Sequence, residues 1–240
     1  MSEILQAITI GIPQGTLYGL MGFGIALIFR SAGTLNFSHG YSAMVSVLIT
    51  LSAMQLFIGQ NLLAGKAALL AAIPVGLAAG ALFGVLIDIV LMRRVKHVSP
   101  ASMLMITLGL LLVFEGAANL IWSPDYESFP RLLEGPPFVF EGGGLFAGIE
   151  IIFRRNDLAV MLIALVISIS MAALMKYTKI GLAIRARGQD AVGAQAVGIN
   201  TNRVDSIVWG LSLALAVVVG ILTAPITRVH PTMLMNTQLL

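Results

Sequence analysis

Long apolar runs, broken by short polar clusters, organise this chain. Residues 4–29, 31–65, 67–87, 158–175 and 206–227 contain no Asp, Glu, Lys or Arg. About 20 apolar residues suffice to cross a bilayer as a helix. The pattern predicts six spans, near 4–29, 40–58, 67–91, 101–122, 158–177 and 206–227. The second carries Ser42, Ser46, Thr50, Ser52 and Gln55, which allows a partly re-entrant path. The expected fold is all-α: a polytopic transmembrane bundle forming one membrane domain over 1–240. The opening MSEILQAITIG lacks a basic n-region and a small-residue cleavage site, so the first helix is expected to be retained.

Composition fits this class. Hydrophobic residues make up 58% and charged residues 10%, against about 25% charged in soluble domains. The net charge of +3 then reads as a record of topology, not as a sign of nucleic acid. There is no cysteine, which excludes disulfides, thiol catalysis and Cys-based metal sites. No metal and no cofactor is expected.

Charge placement predicts orientation. With the N-terminus outside, Arg30, Arg93, Arg94, Lys96, Lys176, Lys179, Arg185, Arg187 and Arg203 lie inside, nine of the 14 basic residues. The opposite loop, 123–157, carries Asp125, Glu127, Glu134, Glu141, Glu150 and Asp157 against three arginines. The excess of Lys and Arg favours a cytosolic 176–205 segment and an extracytoplasmic 123–157 loop. That outer loop is rich in Pro and Gly (Pro124, Pro130, Pro136, Pro137, Gly142 to Gly144) and is expected to form a structured lid or rim.

Two spans carry glycine at every fourth position: Gly11, Gly15 and Gly19, then Gly76, Gly80 and Gly84. Such positions share one helix face, and close backbone approach over them packs helices in lipid. Both strips are expected to pack a compact bundle. Pro13, Pro74 and Pro225 are candidate kinks.

Candidate chemistry is sparse. The break RSAGTLNFSHGY (30–41) places Asn36, Ser38, His39 and Gly40 between the first two spans. His39 as base to Ser38 as nucleophile is a poor arrangement, because adjacent residues rarely aim at each other and no G-x-S-x-G elbow is present. Asn36 and His39 read instead as groups that bond free backbone at the break, with a gating or pathway role as the alternative. The Asn36-Phe37-Ser38 sequon match carries no weight at an inner boundary. Asp88 and Glu115 are the acidic residues within spans, where a charge is costly. Asp88 lies about one turn from Arg93 and Arg94, which predicts a local ion pair. Glu115 either lines a polar path or bonds a neighbouring helix. The stretch GQNLLAGKA (59–67) misses the Walker A spacing and its hydroxyl, so ATP would have to be handled by another subunit.

Two stretches resemble one family. TLYGLMGFGIALIFRSAGTLNFSHG (16–40) is similar to the opening of the inner-membrane permeases of Liv-type branched-chain amino-acid ABC importers. GLAIRARGQDAVGAQAVGIN (181–200) resembles their cytosolic loop, through Gly181, Ala183, Arg185, Ala186, Asp190, Ala194, Gly198 and Ile199. The stretch YESFP (126–130) adds weak support. The resemblance implies that Gly181, Arg185, Ala186, Asp190, Ala194, Gly198 and Ile199 couple the chain to an ATPase subunit. It further implies a second permease subunit, cytosolic ATP-binding subunits, a periplasmic or extracellular solute-binding protein, membrane lipid as surroundings, and a bacterial inner-membrane location. No catalytic step is expected in this chain. Tyr41 stands where many members have glutamate, and members continue past the position of Leu240 through a Gly-rich region and about two more helices, so a fragment or a shortened form is expected. The rival function is a secondary transporter or channel for a small polar solute such as urea or amides, with Asp88 and Glu115 as carriers. An intramembrane enzyme lacks any plausible nucleophile–base pair.

Overall fold

The computed structural model describes residues 2–95, 98–122, 129–130, 135–141 and 150–227. In chain order the helices are α1 (Ser2–Ala32), α2 (His39–Gly59), α3 (Gly65–Leu86), α4 (Pro100–Ile121), α5 (Arg155–Tyr177), α6 (Lys179–Gln189), α7 (Ala191–Ala196) and α8 (Thr201–Thr227). A π-helical turn, Ile87–Met92, extends α3. Six helices are long and apolar enough to cross a membrane, at the positions of the six predicted runs. The chain is a multi-pass helical membrane protein.

The second span is not re-entrant. α2 runs for 21 residues without a break, because its hydroxyls are satisfied within the helix. Ser42 donates to the Ser38 carbonyl at 2.8 Å, Ser46 to the Ser42 carbonyl at 2.9 Å and Thr50 to the Ser46 carbonyl at 2.8 Å. Back-bonded in this way, polar side chains can be buried without stranding a donor.

α8 is the hub. Of its apolar stretch 78% is buried, against 11% for α4 and 22% for α5. It packs on α1, α2 and α3. The approach of α3 depends on its glycines. A side-chain carbon at Gly84 would sit 2.6 Å from the Trp209 carbonyl carbon and 2.8 Å from the Gly210 Cα. At Gly80 it would meet the Leu213 carbonyl oxygen at 3.3 Å, and at Gly76 the Ser46 carbonyl oxygen at 3.2 Å. Gly11, Gly15 and Gly19 are exposed instead, and a carbon added at any of them meets nothing within 4 Å among the described residues. Pro13, Pro74 and Pro225 lie inside α1, α3 and α8.

The 123–157 segment contains strand structure that the all-α expectation omits. β1 (Phe138–Glu141) and β2 (Glu150–Phe153) pair antiparallel, Phe138 opposite Phe153 and Glu141 opposite Glu150. The Arg155 guanidinium lies 4.9 Å from the centre of the Phe138 ring, a cation–π contact that ties the hairpin to α5. Helix α5 begins at Arg155, directly after the hairpin. Tyr126 and the run Gly142 to Gly144 lie outside the described residues, as do Lys96, Arg131 and Arg228.

Candidate functional site

The break between α1 and α2 is a buried polar turn. Gly33, at φ +70°, ends α1 in the left-handed region. Asn36 then turns its carboxamide onto the start of α2. Its Oδ1 accepts from the Ser38 backbone N–H at 3.1 Å and from the Ser38 hydroxyl at 2.7 Å. That hydroxyl is spent on Asn36 and not on His39. Asn36, Ser38 and His39 are all buried. Asn36 thus bonds free backbone at the break, but His39 does not. Neither imidazole nitrogen has a hydrogen-bond partner among the described residues. The ring lies against α1 at Gly24, where an added carbon would sit 3.0 Å from His39 Nε2 and 3.2 Å from Ser212 Oγ. Ser212 itself donates to the Gly24 carbonyl. α1, α2 and α8 therefore meet around one buried, unsatisfied imidazole. Gly40 is buried directly after it. Glu115 is half-buried on α4, within electrostatic reach of Tyr41.

The polar segment 176–205 folds into a frame of short helices, and its motif residues build the corners. Thr178 caps α6, its hydroxyl accepting from the Gly181 N–H at 3.0 Å. Gly181 allows α6 to double back on α5; a side-chain carbon there would lie 2.6 Å from the Met175 Cα. The Ala186 carbonyl accepts from the Asp190 N–H at 3.1 Å. Asp190 caps α7, accepting from the Val192 N–H at 2.9 Å. Gly198, at φ +86°, ends α7, and Ile199 N–H returns to the carbonyl of buried Ala194 at 2.9 Å. Gln195 then reaches Thr201 at 2.8 Å, and Asn200 caps α8 through the Arg203 N–H at 3.1 Å. The left-handed residue after a helix is where glycine is favoured. Arg185 turns toward α1, lining a cavity of about 130 Å³ with Arg30, Phe23 and Met175.

Among the residues this frame leaves outside, many of them polar, are two valines. Val192 and Val197, at the two ends of α7, are each 76% exposed. They were not singled out in the sequence, although two valines in a polar loop are a readable signal.

Two further groups lock the frame to the spans, and the sequence gives little hint of the first. Arg187 of α6 pairs with buried Asp205 of α8: Nε lies 3.2 Å from Oδ1, close but poorly aligned, while Nη2 donates to Oδ2 at 3.4 Å. Ser31 of α1 donates to the same carboxylate at 2.8 Å. One residue later, Ser206 donates to Asp88 at 2.6 Å. Asp88 is also held by Arg93 at 3.1 Å, the local ion pair expected from the sequence. Arg93 continues to the Asn202 carbonyl at 3.0 Å and to Ser206. The π turn, closed by the Arg93 N–H on the Asp88 carbonyl at 2.9 Å, sets Asp88 in this position. No group of three or more His, Cys, Asp or Glu able to hold a metal occurs among the described residues.

Relatives match most of this chain and a smaller share of their own length. It is 24% identical over 218 residues to the high-affinity branched-chain amino acid transport system permease protein BraD of Pseudomonas aeruginosa, covering 91% of this chain and 70% of the relative. It is 25% identical over 222 residues to the corresponding permease protein LivH of Escherichia coli, again 91% and 70%. A probable branched-chain amino acid transport permease protein LivH of Methanocaldococcus jannaschii is 27% identical over 215 residues, 87% of this chain and 62% of the relative. No solved structure matches the chain. Residues 7–240 match the family model described as branched-chain amino acid transport system / permease component, and the chain belongs to that family.

Proposed function

We propose that this chain is the translocation-pathway subunit of an ATP-driven ABC importer for branched-chain or related amino acids, in a bacterial inner membrane. The N-terminus lies outside, and the α6–α7 frame lies in the cytosol. The partners are a second permease subunit, ATP-binding subunits and an extracytoplasmic solute-binding protein. ATP hydrolysis belongs to those ATP-binding subunits.

The observation that carries this reading is the α6–α7 frame. Its caps and tight glycines fix the backbone, while Val192 and Val197 project uncovered. Exposed apolar side chains on a rigid, polar support fit a groove in another protein. Ser31, Arg187 and Asp205 give the frame a direct connection to α1 and α8. A partner that binds this frame differently in two states can then bias the spans; one that binds both states equally transmits nothing. A secondary carrier would use Asp88 as an ion site, yet Asp88 is committed to Arg93 and Ser206.

The test is co-purification of the chain with ATP-binding subunits expressed beside it. Wild type is expected to retain them. Val192→Asp with Val197→Asp, both at exposed positions, is expected to lose them while the chain still runs as a single folded species. Gly198→Trp, which strains a left-handed position, is expected to do the same. Solute uptake by the chain without any ATP-binding subunit would overturn the proposal.

A further inference from the structure

α1 and α5 pack side by side but leave space between them along part of their length. Between them lies a groove of about 880 Å³, lined by Phe23, Leu165, Ser168 and Met175 among other residues, with Arg30 at one end. The smaller cavity beyond shares Phe23, Arg30 and Met175 and adds Arg185 of α6. The two spaces therefore adjoin, an apolar trough with a basic end. The trough opens sideways: Leu162 is 63% exposed and Leu165 57% exposed. From Thr16 to Arg30 it runs about 21 Å at 1.5 Å per residue. That exceeds one leaflet's share of a hydrocarbon core about 30 Å thick.

The two arginines are unspent. Neither Arg30 nor Arg185 makes an ion pair or hydrogen bond with a described residue. Arg187, two residues from Arg185, is engaged by Asp205. Arg30 sits in the last turn of α1, and α6 passes it closely at Gly188, where an added carbon would lie 3.0 Å from the Arg30 Cγ. Two free guanidinium groups at the end of an apolar trough ask for an anion attached to a hydrocarbon. Guanidinium groups bind phosphate oxygens well, and basic pockets between transmembrane helices bind anionic headgroups.

We propose that the groove between α1 and α5 is a binding site for one anionic phospholipid. An acyl chain lies along Phe23, Leu165 and Ser168, and the phosphate sits between Arg30 and Arg185. This site is separate from the contact made by Val192 and Val197, and its test needs no ATP-binding subunit.

The full chain is purified in detergent, stripped of lipid and titrated with phosphatidylglycerol or phosphatidylcholine of the same acyl chains. Bound lipid is counted by native mass spectrometry. The first phosphatidylglycerol is expected to bind about tenfold more tightly than the first phosphatidylcholine. Arg30→Gln with Arg185→Gln is expected to abolish that preference, and Arg30→Lys with Arg185→Lys to keep most of it. Ser168→Trp, a substitution at an exposed position that fills the trough, is expected to weaken both lipids alike. Equal binding of the two lipids to wild type, or a preference that survives removal of both charges, would falsify the assignment. Inorganic phosphate that competes as well as phosphatidylglycerol would make this a free-anion site and overturn the lipid reading. A polypeptide cross-linked in near-complete yield to Ser168→Cys in native membranes would show that protein covers the groove, and would overturn it too.

Discussion

α1 and α3 carry glycine at the same spacing and meet opposite surroundings. On α3, Gly76, Gly80 and Gly84 press against the carbonyls and side chains of α2 and α8. On α1, a carbon added at Gly11, Gly15 or Gly19 would meet nothing within 4 Å among the described residues. The same contrast separates two sides of the molecule. Around α8 the helices are in backbone contact and their polar groups are tied across elements. Between α1 and α5 there is an open trough whose arginines have no charged partner among the described residues. A four-residue repeat therefore marks a face that can be approached closely, and the partner's geometry decides whether it is.

Substitutions can break this contrast. The largest effect is expected for Gly84→Leu. The nearest atoms are Trp209 and Gly210 backbone, which cannot swing aside as a side chain can. A loss of about 4 kcal/mol or more is expected, seen as loss of the folded monomer in thermal unfolding or size exclusion in detergent. Asp205→Ala comes next. It strands Arg187 and removes the acceptor of Ser31, and breaking a buried pair costs about 3–5 kcal/mol. Asp190→Ala, which removes an exposed cap, should cost only about 1 kcal/mol, so the two aspartates rank the buried link against the surface one. Gly76→Ala is milder. Its new methyl meets the Thr50 side chain first, so a cost of about 1–3 kcal/mol is expected. Thr50→Ala in the same chain should recover most of it, a non-additive pair. The smallest effect belongs to Gly15→Ala. With open space around it, the change should be neutral or stabilising by up to about 1 kcal/mol through helix propensity. Marked destabilisation of the isolated chain by Gly15→Ala would remove the contrast between the two strips.

How much could be read beforehand follows the same physics. The spans were legible because a bilayer demands an apolar run of fixed length with few charges, and six such runs stand out. Gly181, Asp190 and Gly198 stood out in the sequence only through the family resemblance, as coupling residues; their use as corners, by residue types that cap and reverse helices, came with the structure. The ion pair of Asp88 with Arg93 lay within one turn and could be counted. Ser31 and Asp205 are 174 positions apart, and no local pattern brings them together. His39 looked like a group that would satisfy the turn, but the close approach of Gly24 and Ser212 from other helices leaves its nitrogens unmatched. The hairpin was hidden because its strands are four residues each, set among Pro and Gly that read as loop.

Asp205 and Ser206 are neighbours on α8, yet they serve different elements: one is bonded to α1 and α6, the other to the turn that ends α3. Consecutive residues point about 100° apart around a helix. The two links therefore act as guy-lines on separate sides of one mast. Spinning α8 about its own axis would slacken one link while stretching the other, so the helix resists torsion at this end. A push arriving through α6 would be converted into tilt of α8, with α1 and the end of α3 carried along in the same stroke.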